Sequence, residues 1–288
     1  MIKAADNLSA ARPSVAKALE QRDSDALAAL CRKCQEAGAQ WLDINPGFIP
    51  ASRRSEVWRF AIETAESACG LTLMLDAPDA DTLSLGLSFC SRPPILNMAT
   101  AQPERLKPVM ELAAMYGLDV IAACMTATVP TSAEERLGLA ALIVEEAARQ
   151  GIMGPRLILD PMVMPLALAG GEAHAKAVIQ FLRSAPQVFD PAPLTLIALS
   201  NLTTSTAGAK AGFSAGPFLA AAWGAGLDIA MLDALDRDLA GVADLCRVFA
   251  GERVFAPGEF TDKSGDKNAA GSEINSVRHH PHRQPRTP

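Results

Sequence analysis

Histidine and aromatic side chains are scarce in this 288-residue chain, which has four His, one Tyr and three Trp, with aromatics at 5% of the total. Three of the histidines, His279, His280 and His282, stand close to the C-terminal end. Only His174 is left in the apolar body, so a histidine metal centre or a Ser-His-Asp triad has almost no material. In Glu172-Ala173-His174 it reads as a residue at the start of a helix. No GxGxxG follows the first apolar run and no GxxxxGK[ST] occurs, which counts against nucleotide-binding folds. Basic excess is also missing: 26 Lys and Arg face 32 Asp and Glu, a formal charge of -6, and this argues against a nucleic-acid partner. Apolar runs such as 137–144 and 194–199 fall far short of the ~20 residues that span a bilayer.

Cysteine is present but not patterned. The six Cys sit mostly inside apolar segments, without the dense spacing of a secreted disulfide framework, which fits a reducing compartment. Cys31-Arg32-Lys33-Cys34 is a CxxC within a helical run, but no second CxxC or nearby His completes a zinc site; it reads as part of a helix face, and no metal site is expected. The Met1-Ile2-Lys3 opening lacks the basic start and apolar core of a signal peptide. The expectation is a soluble, cytoplasmic protein that contacts neither membrane nor nucleic acid.

What the chain does have is 49% apolar residues against 20% charged, the proportions of a globular protein. Short β-like runs occur at 2–5, 41–45, 71–75, 95–97, 120–124, 157–159, 195–200 and 228–232. Between them lie helical patterns at 13–38 (with a break near Asp23-Ser24), 53–68, 79–90, 103–116, 132–150, 173–184, 216–226 and 235–250. Ser132 with Glu135 reads as a capping box, Pro103 and Pro217 suit a first helical turn, and Gly38, Gly117 and Gly151 suit helix ends. Eight strand-helix units in a chain of this length predict a closed (β/α)8 TIM barrel more than an open doubly wound sheet. The barrel is expected over 1–260. Beyond it, 261–288 is polar, nearly free of large apolar residues, and expected to be a disordered tail.

In such a barrel the site forms at the carboxyl ends of the strands. Here those ends carry Asp43 and Asn45 (LDINPG), Asp76 (LMLDAPD), Asn97 (ILNMAT), Cys124 to Thr126, Asp160 (LILDPMVMP), Ser200 and Asn201 (ALSNLT), and Asp233 (MLDA). Any one Asp or Asn there could be a turn former or helix cap. Six ends converging on one mouth are harder to explain that way. Lys and Arg are absent from these positions, so the mouth suits neither a sugar phosphate nor a Schiff base. A neutral substrate rich in N–H donors is expected: a carboxylate accepts two parallel N–H bonds from an amino-pyrimidinone edge, and an Asn both donates and accepts. Pterins present such an edge.

The segments LDINPG (42–47), LMLDAPD (73–79), ILNMAT (95–100), LILDPMVMP (157–165), FDPAPLTLIALSNLT (189–203) and AAAWGAGLDIAMLDALD (220–236) resemble, in order and spacing, those of the methyltetrahydrofolate:corrinoid-protein methyltransferases of the pterin-binding barrel superfamily. The resemblance implies that Asp76, Asn97 and Asp160 hold the pterin ring, that Asn201 is the catalytic residue near N5, and that Asp43, Asn45 and Ser200 help to line the mouth. It also implies a reduced folate as substrate, a homodimer, and a cobamide carried by a partner corrinoid protein, since no Asp-x-His-x-x-Gly motif is present in this chain. The first segment departs from the family's Gly-Glu-Arg-Ile-Asn pattern, with Ala5-Asp6-Asn7-Leu8 in its place, which leaves the role of Asn7 open.

Two other readings compete. Dihydropteroate synthase resembles the same fold, and Ser276-Val277-Arg278-His279 matches that family's Ser-x-Arg-His string, but far beyond the eighth strand and without the strand-seven Lys motif, so the match reads as chance. A folate-binding subunit that keeps the pocket and transfers nothing is the other alternative.

Overall fold

A computed structural model describes residues 1–204 and 209–252, with side chains described outside 209–214. The compact unit runs from Met1 to Arg253. The segment 261–288, with its Ser-x-Arg-His string, lies outside the described residues.

Eight parallel strands close into a barrel in the order of the chain: β1 (Ile2–Ser9), β2 (Trp41–Asn45), β3 (Thr72–Asp76), β4 (Ile95–Thr100), β5 (Val120–Ala123), β6 (Leu157–Asp160), β7 (Leu194–Ala198) and β8 (Ile229–Leu232). β1 pairs with β8, Ala4 opposite Met231, which seals the ring. Between strands run α1 (Pro13–Gln21), α2 (Ser24–Glu36), α3 (Ala51–Ala68), α4 (Ala80–Leu87), α5 (Pro103–Tyr116), α6 (Ala133–Arg149), α7 (Gly171–Val188), α8 (Leu199–Thr203), α9 (Ala209–Gly224) and α10 (Arg237–Phe249). The eight-unit (β/α)8 reading therefore holds. The break near Asp23 is real: Arg22 is left-handed at φ 54, and the Asp23 carboxylate caps α2 by accepting from Ala26 N–H. Ser132 and Glu135 form the reciprocal capping box of α6.

Strand alternation explains both core layers. Leu42, Ile44, Leu73, Leu75, Leu96, Leu159, Ile197 and Leu232 pack with the surrounding helices in the larger core. Ala4, Met74, Ile95, Ile121, Ile158, Leu196 and Ile229 form a separate cluster, one residue from each of seven strands, which plugs the barrel interior. Trp41 of β2, the one strand without a residue in the cluster, packs against this plug. Moving two residues along each strand keeps the same face. Above the plug this step delivers Asp6 after Ala4, Asp43 after Trp41, Asp76 after Met74, Asn97 after Ile95 and Asp160 after Ile158. An apolar layer thus ends in a polar one at the same end of the barrel.

Three expectations need correction. β7 ends at Ala198, so Ser200 and Asn201 are not strand residues; they ride on α8, a single turn pinned by Leu199 and Leu202, three apart and both buried. β1 runs past Ala5 to Ser9, with a register shift against β2 between Ala5 and Leu8 that keeps Asp6 and Asn7 within the strand. Pro217 does not open a helix: α9 begins at Ala209, and Pro217 sits inside it, where one helical hydrogen bond is forgone. No helix among the described residues is long and apolar enough to cross a membrane.

Candidate active site

A cavity of about 490 Å3 opens at the carboxyl ends of the strands. Leu196 and Met231, which belong to or pack on the plug, line it, so the plug is its floor. Its walls bring together Asp43, Asn45, Asp76, Asn97, Asp160, Ser200 and Asn201, whereas Asp233 and Cys124 to Thr126, also expected at the strand ends, do not line it. Asp6, Arg12, Met98 and Met162 line it as well and were not singled out. The signal for Asp6 was the period of two continuing from Ala4. For Arg12 it was Pro13, which opens α1 and so places residue 12 at a helix start beside the mouth.

The expected absence of cations from the mouth is therefore corrected. No Arg terminates a strand, but Arg12 reaches the cavity from the loop after β1. Its guanidinium forks between two carboxylates, Nη2 to Asp6 Oδ1 at 3.0 Å and Nη1 to Asp233 Oδ2 at 2.9 Å. Asp233 in turn accepts from Asn7 Nδ2 at 2.6 Å, while Asn7 Oδ1 accepts the Ala234 N–H at 2.8 Å. Asn7 thus braces the seam between β1 and β8 and does not line the cavity. Burial opposes charge on Asp233, but the bonds from Asn7 and Arg12 hold its carboxyl below the ordinary range.

Around the barrel from β2 to β4, carboxamides are paired to carboxylates. Asn45 Nδ2 donates to Asp76 Oδ2 at 2.6 Å and its oxygen accepts from Gly47 N–H. Asn97 Nδ2 donates to Asp43 Oδ1 at 3.0 Å, near the register shift where β4 passes β5 between Asn97 and Ala99. Asp160 Oδ1 accepts from Met162 N–H at 2.7 Å, with Met162 held in the left-handed region at φ 62. A methionine in that region costs of order 1–3 kcal/mol, a strain common at binding sites.

Four carboxyls line one cavity with one arginine, and burial raises them all. Burial lifts Asp160 to about 7, against the Met162 hydrogen bond and the charge of Arg136. Burial lifts Asp76 to about 6 despite the bond from Asn45. Asp43 stands well above the usual range through burial and the neighbouring Asp76 charge, and Asp6 is raised by burial against the pull of Arg12. At neutral pH Asp160 holds part of its protons, and a ligand offering N–H donors favours its ionised form.

Behind Asp160 stands a further cation. Arg136 of α6 is 0% exposed, donates to the His174 carbonyl at 3.1 Å and meets His174 Nδ1 at 2.9 Å, and its Nε has no hydrogen-bond partner among the described residues. Burial and the nearby guanidinium depress His174, so its Nδ1 is the acceptor. His174 stands just inside the first turn of α7, as its helix-start reading implied. Cys31 and Cys34 are buried on α2, and among the described residues no group of three or more His, Cys, Asp or Glu is arranged to hold a metal ion.

The fold and its mouth define the class: a (β/α)8 barrel with a carboxylate- and carboxamide-lined cavity above an apolar floor. The pterin binding enzyme family matches residues 10–233, and the chain belongs to that family. The chain is 26% identical over 255 residues to the methylcorrinoid:tetrahydrofolate methyltransferase of Eubacterium limosum, covering 84% of this chain and 88% of that protein. Its fold is similar to a Yersinia pestis DHPS with a pterine-sulfa conjugate, at a TM-score of 0.64 and 13% identity over 88% of this chain and 94% of the other. It is also similar to the dihydropteroate synthase of Xanthomonas albilineans in complex with 7,8-dihydropteroate, at 0.61 and 18% identity over 87% and 92%.

Proposed function

We propose that the protein moves the N5-methyl group between methyltetrahydrofolate and the cobalt of a corrinoid carried by a partner protein. The observation that carries this reading is the meeting of Asp76, Asn97, Asp160 and Asn201 around one cavity above an apolar floor. The Eubacterium limosum relative, named for transfer between the same two carriers, supports it.

The cavity's own groups fit a pterin. Asp160 has one carboxylate oxygen engaged by Met162 N–H and the other free to accept from an aminopyrimidinone edge. With its amide nitrogen held by Asp43, Asn97 turns its oxygen to further donors. Asn45 steadies Asp76 in the same way. Asn201, on the short α8 turn above β7, is assigned to N5.

Methyl transfer from N5 breaks a C–N bond whose electron pair stays on nitrogen, so N5 must be protonated or strongly hydrogen-bonded as the methyl departs to cobalt(I). Asn201 does not titrate; its part is to strengthen a hydrogen bond at N5 as charge develops, and the buried Asp carboxyls and water form the network that carries the proton. By microscopic reversibility the same groups serve transfer in the opposite direction. The corrinoid is a substrate delivered by its own protein to the open mouth.

The test is Asn201→Ala in the full chain, assayed by the cob(I)alamin spectrum and by calorimetry. Methyltetrahydrofolate binding should stay within about tenfold of wild type while transfer slows by orders of magnitude. Transfer at the wild-type rate would remove Asn201 from the mechanism. Binding without transfer in the wild type would instead favour a folate-binding subunit.

A further inference from the structure

α8, which carries Asn201, is a single turn of five residues, too short to hold its place by its own hydrogen bonds, and Ala198 at its N-cap has no side-chain acceptor to brace it. Two anchors fix one side of the turn: Leu199 and Leu202 are buried in the larger core, and the Leu202 carbonyl accepts the Leu166 N–H at 3.0 Å. On another side lies a second cavity of about 210 Å3, whose lining includes Thr203 of α8 and Asp233, Asp236 and Leu239. Among the described residues, Asp6, Arg12 and Ser200 line both this cavity and the mouth, so they form the partition between the two.

The partition is a chain of bonds. Arg12 is fixed to the end of β8 through Asp233 at 2.9 Å and holds Asp6 at 3.0 Å. Burial raises Asp6, and the charge of Arg12 and a hydrogen bond from the Ser200 hydroxyl oppose that rise. A planar guanidinium shared by two carboxylates has one orientation, so the Asp6 carboxylate meets the Ser200 hydroxyl from a set direction. Asn201 follows Ser200 in the chain, and within one helical turn the two rotate as a body. Resting on the folate reading above, we propose that Arg12 is a positioning residue for Asn201: through Asp6 and Ser200 it sets the rotation of α8, and with it the direction of the Asn201 carboxamide toward N5. The leucine anchors set how deeply α8 sits, whereas the Arg12 chain sets its turn about its own axis. Closing the barrel does not require the fork, because Asn7 already ties β1 to β8 through Asp233 and the Ala234 N–H. Aim matters here, since a misplacement of about 1 Å at a reacting group can cost on the order of a hundredfold in rate.

The experiment is a set of double-mutant cycles on the full-length protein, with methyl transfer from methyltetrahydrofolate to cob(I)alamin followed by the cobalt spectrum and affinity measured by calorimetry. Arg12→Met should lower kcat about tenfold or more while methyltetrahydrofolate affinity stays within about threefold of wild type. Ser200→Ala, which removes one hydroxyl from an exposed position, should act in the same sense, and the two together should lose no more than about twofold beyond the worse single variant. In an Asn201→Ala background neither change should slow the residual rate by more than about twofold, because the group they aim is gone. Asp6→Ala breaks the same chain without leaving Asp6 and Asp233 to face each other unneutralised, and it takes the place of Arg12→Met if that variant does not fold. Losses that multiply with Asn201→Ala, affinity that falls in step with kcat, or transfer at the wild-type rate in the Arg12 and Asp6 variants would overturn the positioning role and leave the folate reading intact. Wild-type transfer by Asn201→Ala itself would overturn both.

Discussion

Asn97 reaches from β4 past β3 to Asp43 on β2, its Nδ2 3.0 Å from the carboxylate Oδ1, and the bond bridges two strands that are not neighbours in the barrel. A carboxamide has two distinguishable ends, and Asp43 decides which one faces the cavity. The buried carboxylate takes the donor end, leaving the acceptor for a ligand.

Removing that donor should be felt first as lost stability. Asn97→Ala leaves Asp43 buried without its amide partner and should lower the free energy of unfolding by about 1–3 kcal/mol in urea titrations. Asn97→Asp keeps the shape but sets two carboxyls together, with Asp76 close behind. Its loss should be small at pH 5.5, where the pair can share a proton, and larger at pH 8. A penalty that does not vary with pH would show that positions 43 and 97 do not share charge.

The raised carboxyls give stability a direction with pH. An Asp whose folded value lies above its unfolded one binds protons more tightly when folded, so the stability it confers is fully present below the unfolded value of 3.8 and is lost as pH rises through the folded value, about 7 for Asp160. In the ligand-free protein the melting temperature should fall between pH 5 and 8, and Asp160→Asn should flatten part of that fall. Methyltetrahydrofolate binding should run the other way, tightening as Asp160 ionises, with the dependence weakened in the same variant. If wild type and Asp160→Asn show parallel melting curves across this range, Asp160 is not the titrating group.

The barrel and most of its mouth were legible because two rules of period coincide. Alternation sorts Met74 from Leu75 and Ile158 from Leu159, and the polar residue two places beyond the plug marks the strand end in each case. The α8 turn was not legible: Leu196 to Leu199 reads as one apolar run, and a five-residue helix is too short to show its own period. Arg12 was harder to read because it comes from a loop and one of the two carboxylates that hold it at the site, Asp233, lies 221 residues away in sequence.

Arg136 did leave a local trace, and it supports the last prediction. Ala133, Arg136, Ala140, Ile143 and Ala147 fall on one stripe of α6 and all are buried, so a cation stands where an amphipathic helix calls for an apolar residue. With no carboxylate in direct contact among the described residues, its charge is balanced at a distance by Asp160, whose carboxyl it draws downward against burial. Arg136→Met fills similar space without the charge, and burying a methionine offsets much of what the lost bonds to His174 contributed. Asp160 should then titrate higher, so that methyltetrahydrofolate affinity at pH 7 falls several-fold but recovers toward the wild-type value by pH 8.5. A simple packing defect would weaken binding by the same factor at every pH, so calorimetric titrations at pH 6, 7 and 8.5 separate the two. If Arg136→Met gives a pH profile superimposable on wild type, the guanidinium serves only to tie α6 to His174.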